Sequence, residues 1–186
     1  MTGRHPPFPP VNAHRRFESL VMPHLGAGYN LARWLARDAH DAEDVVQEAC
    51  MRALRYIGSL EGADARPWFL TIVRRTFYDW LQRNRPAEAL DGARLDALVD
   101  PGDDPERLLL RQETAVALAD AVGTLPLPYR EVLVLRELEE LSYKEIARVA
   151  AIPIGTVMSR LARARALLQR SPLLQAVREP SAGMHG

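Results

Sequence analysis

The 186-residue chain has a single cysteine, Cys50, so no internal disulfide can form. That suits a reducing compartment. No stretch approaches the roughly 18 apolar residues that span a bilayer, so no stable membrane insertion is expected. The proline-rich segment Met1 to Asn12 lacks the apolar centre of a secretory signal, and a cytoplasmic location follows as the expectation. No segment alternates apolar and polar residues convincingly, which excludes a β-rich fold and leaves an all-α one. Net charge is also missing, with 24 basic and 24 acidic residues. A free-standing DNA binder usually carries excess positive charge, because phosphate neutralisation drives its affinity. There is no nucleophile–base arrangement, phosphate-cradling glycine loop or metal-ligand spacing. An enzyme built on His40, Asp41, Asp44 and Glu48 is therefore unsupported. His40, Asp44 and Glu48 lack the Glu-x-x-His pairs of a carboxylate-bridged metal site. Neither metal nor cofactor is expected.

What is present is concentrated near the C-terminus. Ser142 is suited to cap a helix, Glu145 three residues on completes a capping box, and Leu141 with Ile146 forms a hydrophobic staple. Ile146, Ala147, Val149 and Ala150 supply that helix's apolar side. Pro153 ends it, and Gly155 is expected to give freedom at the start of the next helix. In the second helix Val157, Leu161, Ala164, Leu167 and Leu168 recur at core spacing. Thr156 to Arg170 holds four arginines and no acid. Two short helices with a tight turn and a basic second helix form a probe for the major groove. Arginine can pair bidentately with guanine or clamp a phosphate.

Punctuation and periodicity divide the chain into two small helical domains joined by a flexible acidic linker. A disordered extension is expected over 1–16 and a first domain over 17–85. The linker covers 86–110, the second domain 111–170, and a mostly unstructured tail 171–186. The first domain should begin with a helical stretch from Phe17 to about Arg37, with Gly26–Gly28 as the candidate break. A helix over about Asp41–Ile57 follows, then a loop over Gly58–Ala65 and a helix from Arg66 to about Arg85. Helices should resume over about Glu106–Val122, with a turn at Thr124–Pro128 and another helix over Tyr129–Glu139. Charge is segregated: Arg66 to Arg85 holds five arginines and one acid, whereas Pro86 to Leu110 holds two arginines and seven acids.

In the Asp41 helix, Val45, Val46, Ala49, Cys50, Ala53, Leu54 and Ile57 make an apolar stripe. Cys50 on that stripe reads as a structural thiol. The opposite face shows Asp44, Gln47, Glu48, Met51, Arg52 and Arg55, with Glu48 and Arg52 spaced to pair. That face is either a solvated surface or a docking surface for a partner. In the Arg66 helix, Trp68, Phe69, Ile72, Val73, Phe77 and Trp80 or Leu81 can form a core stripe. Tyr78 and Arg74 lie off it. Aromatics among arginines also hold single-stranded nucleic acid, with bases stacked on rings and cations along the backbone.

Three blocks together resemble the bacterial sigma-70 family, specifically its small extracytoplasmic-function group. Asp41-Ala42-Glu43-Asp44-Val45-Val46-Gln47-Glu48-Ala49 looks like the core-polymerase-binding helix. Arg66-Pro67-Trp68-Phe69-Leu70-Thr71-Ile72-Val73-Arg74-Arg75 looks like the promoter-melting helix. Leu125-Pro126 through Arg165 looks like the fourth conserved region. The resemblance implies a non-enzymatic sigma factor that binds core RNA polymerase and directs it to promoters. Asp44, Gln47, Glu48, Met51 and Arg52 would dock on the polymerase clamp helices. Arg66, Arg74, Arg75 and Tyr78 would contact the −10 element, and the Gly58–Ala65 loop would receive a flipped base. Thr156, Ser159, Arg160 and Arg163 would lie at the −35 element. An anti-sigma factor is a further implied partner, and no large C-terminal regulatory extension is expected. Asp100, Asp103, Asp104 and Glu106 would lie in a basic channel of the enzyme. Met158 stands where basic residues are common in the family, so one phosphate contact is expected to be missing. A stand-alone helix-turn-helix regulator explains the C-terminal half equally well. It leaves the acidic docking face and the aromatic–basic helix without a role.

Overall fold

The computed structural model describes residues 12–62, 64–84 and 105–178, and all regular structure among them is helical. The N-terminal half contains α1 (Ala13–Leu20), α2 (Leu25–Ala36), α3 (Ala39–Tyr56) and α4 (Ala65–Asn84). The C-terminal half contains α5 (Pro105–Thr124), α6 (Leu127–Glu137), α7 (Tyr143–Ala150), α8 (Ile154–Gln169) and α9 (Pro172–Arg178). The linker's expected acidic and flexible character, including Asp100, Asp103 and Asp104, lies outside the described residues, as does the side chain of Glu106.

The first helical stretch breaks earlier than its glycines suggest. A 3-10 turn at Met22–His24 carries Pro23 and separates α1 from α2, because proline cannot donate to the preceding turn. Gly26 and Gly28 lie inside α2 instead. Gly28 is there for packing: a Cβ at this position would lie 2.6 Å from Cε1 of Phe69 on α4. The helical chain also starts at Ala13, which is buried, so residues 13–16 are not part of a disordered extension. At the other end, α9 replaces the unstructured tail expected after Ser171. Pro172 sits in its first turn, where a missing N–H costs nothing, and α9 packs against α5.

α3 starts at Asp38, whose carboxylate accepts from the Asp41 amide at 2.9 Å. This hydrogen bond holds the Asp38 carboxyl below its ordinary value. Ala42, Val45, Val46, Ala49 and Ala53 are buried along one face of α3. Cys50 and Leu54 are half-buried, and burial pushes the Cys50 thiol's pKa up. α4 packs against both α2 and α3. Its buried residues are Ala65, Pro67, Phe69, Leu70, Val73, Thr76 and Phe77. The sequence stripe correctly places Phe69, Val73 and Phe77. It omits Leu70 and Thr76, while Trp68, Ile72, Trp80 and Leu81 are only half-buried. The cause is tertiary: α4 also packs against α7 of the other half, so it is covered on more than one side.

The two halves meet where α4 packs on α7 and α2 packs on α6. Arg130 of α6 is 3 % exposed and ties this junction together. Its Nη1 donates to the carbonyls of Gly123 at 2.9 Å and Leu125 at 3.0 Å, and its Nη2 to that of Leu35 at 3.3 Å. These carbonyls lie at the ends of α5 and α2, where intrahelical donors run out and a cation is favoured. Burial, with the nearby Arg37 charge, pushes the Arg130 pKa down to about 10, so it stays protonated at neutral pH.

Candidate nucleic-acid interface and polymerase-facing helix

The helix-turn-helix is set by its caps. Ser142 Oγ accepts from the Glu145 amide at 3.3 Å, and Glu145 Oε2 accepts from the Ser142 amide at 2.7 Å, the reciprocal bonds of a capping box. Leu141 and Ile146, the staple pair, are both buried. The turn's left-handed residue is Ala151, with φ 53°. The Ala151 amide donates to the carbonyls of Ala147 and Arg148. Gly155, expected to supply that freedom, sits in the first turn of α8 with ordinary backbone. Pro153 caps α8.

Val157, Leu161 and Ala164 face the core from α8. Leu168 is half-buried and Leu167 is 37 % exposed, so the stripe fades toward the helix end. On the outer side, Ser159 and Arg163 are exposed and Thr156 and Arg160 are half-buried. Met158 is exposed beside them. Arg165 is paired with Glu137 at 2.7 Å, which raises its pKa. Of the arginines on this helix, Arg165 is thus held by an acid of α6, whereas Arg163 is exposed.

On α3, Asp44, Gln47 and Met51 are exposed, while Glu48 and Arg52 are half-buried. Glu48 and Arg52 form the i,i+4 pair that their spacing predicts. Arg52 also donates to Asp79 of α4 at 2.5 Å, and Arg83 of α4 donates to Glu48 at 2.8 Å. The network fastens the outer faces of α3 and α4 together. The Arg83 and Arg52 guanidinium groups hold the Glu48 carboxyl below its ordinary range.

The α4 residues lie elsewhere. Arg75 is exposed, whereas Arg66, Arg74 and Tyr78 are half-buried against carboxylates of the C-terminal half. Arg74 Nε donates to Glu131 Oε1 at 2.5 Å and its Nη2 to Oε2 at 3.4 Å. The Tyr78 hydroxyl donates to Glu131 Oε2 at 3.5 Å, and the Arg74 guanidinium lies 4.5 Å above the Tyr78 ring. Arg66 Nη2 donates to Glu139 Oε2 at 2.6 Å. Arg160 of α8 also acts electrostatically on both Glu131 and Tyr78. Burial, then the Glu131 charge, pushes the Tyr78 pKa up to about 12. Glu131 and Glu139 were not among the sequence-derived site residues. Glu131 lies inside α6 and Glu139 just past its end, since the helix stops at Glu137 rather than at Glu139; acids at such positions read as solvated until a tertiary partner is known.

The loop after α3 borders a cleft of about 290 Å³. Ser59, Leu60, Glu61 and Asp64 line it with Pro67, Trp68 and Thr71 of α4, and Arg148 of α7 reaches it from the other half. Among the described residues no group of acids, histidines and cysteine is arranged to hold a metal ion. Nor is any described helix long and apolar enough to cross a membrane.

An arginine-bearing helix-turn-helix beside a separate helical half with an aromatic–basic helix defines a DNA-binding protein of transcription. Residues 20–87 match the Sigma-70 region 2 family and residues 115–168 match Sigma-70, region 4. The RNA polymerase sigma-H factor of Pseudomonas aeruginosa is 36% identical over 172 residues, covering 87% of this chain and 89% of that protein. The ECF RNA polymerase sigma-E factor of Escherichia coli K12 is 35% identical over 134 residues, covering 67% of this chain and 70% of its own. The sigma factor RpoE of Bartonella quintana, solved with the anti-sigma factor NepR, superimposes with a TM-score of 0.70 at 25% identity. That match covers 87% of this chain and 98% of that one. CnrH, solved with the cytosolic domain of CnrY, gives 0.58 at 28% identity over 88% and 90% of the two chains. The chain belongs to the sigma-70 family, as an ECF sigma factor with regions 2 and 4. It is not an enzyme but a factor that directs RNA polymerase to promoters, and the stand-alone regulator reading gives way.

Proposed function

We propose that this sigma factor acts through three surfaces. Asp44, Gln47, Glu48, Met51 and Arg52 dock on the clamp helices of core polymerase. Arg66, Arg74, Arg75 and Tyr78 hold and help melt the −10 element, and Thr156, Ser159, Arg160 and Arg163 contact the −35 element. The observation that carries the last assignment is the capped turn between α7 and α8, which leaves Ser159 and Arg163 exposed. The outward Asp44, Gln47 and Met51 support the first. The zero net charge supports a division of labour: tethering on polymerase raises the effective concentration of a weak DNA binder at the promoter. By similarity to RpoE with NepR, an anti-sigma factor is a partner of this chain, and the site of action is the cytoplasm.

Run-off transcription tests this reading. Specific initiation should require both this protein and core polymerase. Tight sequence-specific binding without polymerase, and no stimulated initiation, would reject it. Within that assay Arg160→Ala should weaken upstream-element recognition by about 1–3 kcal/mol if it reads a base edge. A loss equal on all sequences would assign Arg160 to a phosphate instead.

The stability of the protein also carries a pH signature, to which the docking face contributes through Glu48. The folded-state pKa values of Asp38, Glu48 and Glu145 are lowered from 3.8, 4.5 and 4.5. Each therefore contributes stability above its unfolded value, and the contribution is lost as pH falls through the depressed one. Glu131 works in the opposite sense, because burial raises its value. Thermal melts from neutral to strongly acidic pH should show Tm falling below the ordinary carboxylate range. In Glu48→Gln that acid limb should be shallower; an unchanged limb would remove Glu48 from the account.

A further inference from the structure

We propose that Met158, with Ile154 one turn before it, reads a thymine methyl group in the major groove of the −35 element. The inference rests on the assignment of α8 to that element and names what the site selects there. α8 turns Val157, Leu161 and Ala164 to the core, which leaves two flanks on its outer side. At about 100° per residue, Thr156, Arg160 and Arg163 share one flank, and Ile154, Met158 and Ala162 share the other. Ser159 lies between them. The second flank is apolar yet uncovered: Met158 is 50% exposed, Ile154 is 38% exposed, and Ala162 is exposed as well. The arginine on that flank, Arg165, is tied to Glu137 at 2.7 Å. A phosphate therefore finds no uncompensated cation on this side of the helix.

The chemistry of the groove names the occupant. Base edges present donors and acceptors there, and the C5-methyl of thymine is the apolar group among them. A phosphate needs a donor, which neither a thioether nor an aliphatic side chain has. The residues of a recognition helix that meet base edges are those of its N-terminal turns, where Ile154 and Met158 stand. Residues four apart on a helix are neighbours, so Ile154 extends the apolar surface of Met158. Methionine is unbranched and fills irregular gaps, which suits a contact with a single methyl. Gly155 supplies an independent sign. Its φ is not positive, and a Cβ added there would meet nothing within 4 Å. Neither conformation nor packing within the chain calls for glycine at this exposed position. Bare backbone between the apolar flank and Ser159 suits the close approach of a surface from outside the chain.

The test uses the full chain reconstituted with core polymerase. Promoters are selected by run-off transcription, at limiting holoenzyme, from a library randomised across the −35 element. Each thymine of a selected element is then replaced in turn by deoxyuridine, which removes only the methyl. At one or two positions the wild type should lose initiation about fourfold, the worth of one buried methyl. Met158→Ala should begin near that lower level and lose nothing further with deoxyuridine at those positions. Met158→Leu, which keeps an apolar side chain, should retain the deoxyuridine penalty. Met158 is exposed, so neither substitution disturbs the core. The salt dependence of initiation should be unchanged in Met158→Ala, since an apolar contact releases no counterions. A selection that fixes no thymine on either strand overturns the inference, as does an equal deoxyuridine penalty in wild type and Met158→Ala. A loss uniform across all promoters in Met158→Ala assigns the flank to the polymerase and overturns it too. Failure of the wild type to select any promoter with core polymerase rejects the sigma assignments of α8, and the methyl contact falls with them.

Discussion

Arg74→Ala should loosen the junction between the halves by about 3–5 kcal/mol, the usual cost of stranding a buried charge. Glu131 has no exposed side-chain surface, and Arg74 is its closest cation at 2.5 Å. Removing the guanidinium leaves the carboxylate with a weak bond from Tyr78 and the more distant field of Arg160. The effect has a ceiling. Once separating the halves costs less than keeping the stranded charge, the protein opens, and each half keeps its own packing. Hydrogen exchange should therefore show increased exposure along the facing surfaces of α4 and α7 before global unfolding. The second arm is Arg74→Met with Glu131→Leu. Replacing both ions with apolar side chains is often neutral or stabilising, so this pair should restore protection. Protection that stays low in the double variant would show that the ion pair does not control the junction.

The pH dependence of Arg74→Ala follows from the sign of the Glu131 shift. Its pKa in the closed protein lies above the ordinary 4.5, because desolvation outweighs the help of Arg74. A group raised in this way stabilises the closed form below its ordinary value, and that contribution is lost as pH rises through the raised one. Without Arg74 the value rises further, since a favourable charge is gone. The gap between wild type and Arg74→Ala should thus narrow on acidification, as Glu131 takes up a proton in both. A gap independent of pH would mean that lost packing, not stranded charge, explains the variant.

Phe69→Ala should destabilise the N-terminal half by about 3–5 kcal/mol, the range for removing a buried aromatic side chain. Phe69 is 0% exposed, and its ring lies where a Cβ on Gly28 would fall, 2.6 Å from Cε1. The pair gives a test with a change of sign. In the wild type Gly28→Ala forces the ring into its neighbours and should cost about 1–3 kcal/mol. In the Phe69→Ala background the same substitution meets open space, and alanine's helix propensity favours it by up to about 1 kcal/mol. Denaturant melts of the four proteins measure this coupling. Additive effects would mean that α2 and α4 do not meet through this contact. The consequence reaches function because α4 carries Arg66, Arg74, Arg75 and Tyr78, and Phe69 anchors it.

Local chemistry made much of the C-terminal half legible. Ser142 and Glu145 satisfy each other's backbone within one turn, Pro153 stops a helix by its ring, and Val157, Leu161 and Ala164 follow the helical period to the core. The Glu48–Arg52 pair on α3 was readable for the same reason, since four residues bring side chains together on any helix. Errors arose where a local signal had a non-local competitor. Gly28 looked like a break and is a packing notch for a residue far along the chain. Leu70 and Thr76 fell outside the stripe because α4 is covered from two directions. The helix α9 followed from a proline start and packing against α5, neither of which periodicity after Ser171 could weigh.

The sequence by itself determined the helical class, the caps and turn of the DNA probe, and the placement of arginines on α4 and α8. Spacing along a helix dictates which side chains share a face, whatever the surroundings. Only the tertiary structure decided what those faces meet. Glu131 lies 57 positions from Arg74 and Glu139 lies 73 from Arg66. Nothing in the neighbourhood of either acid announces a partner. Coulomb attraction depends on distance and dielectric, and both are set by how the two halves pack.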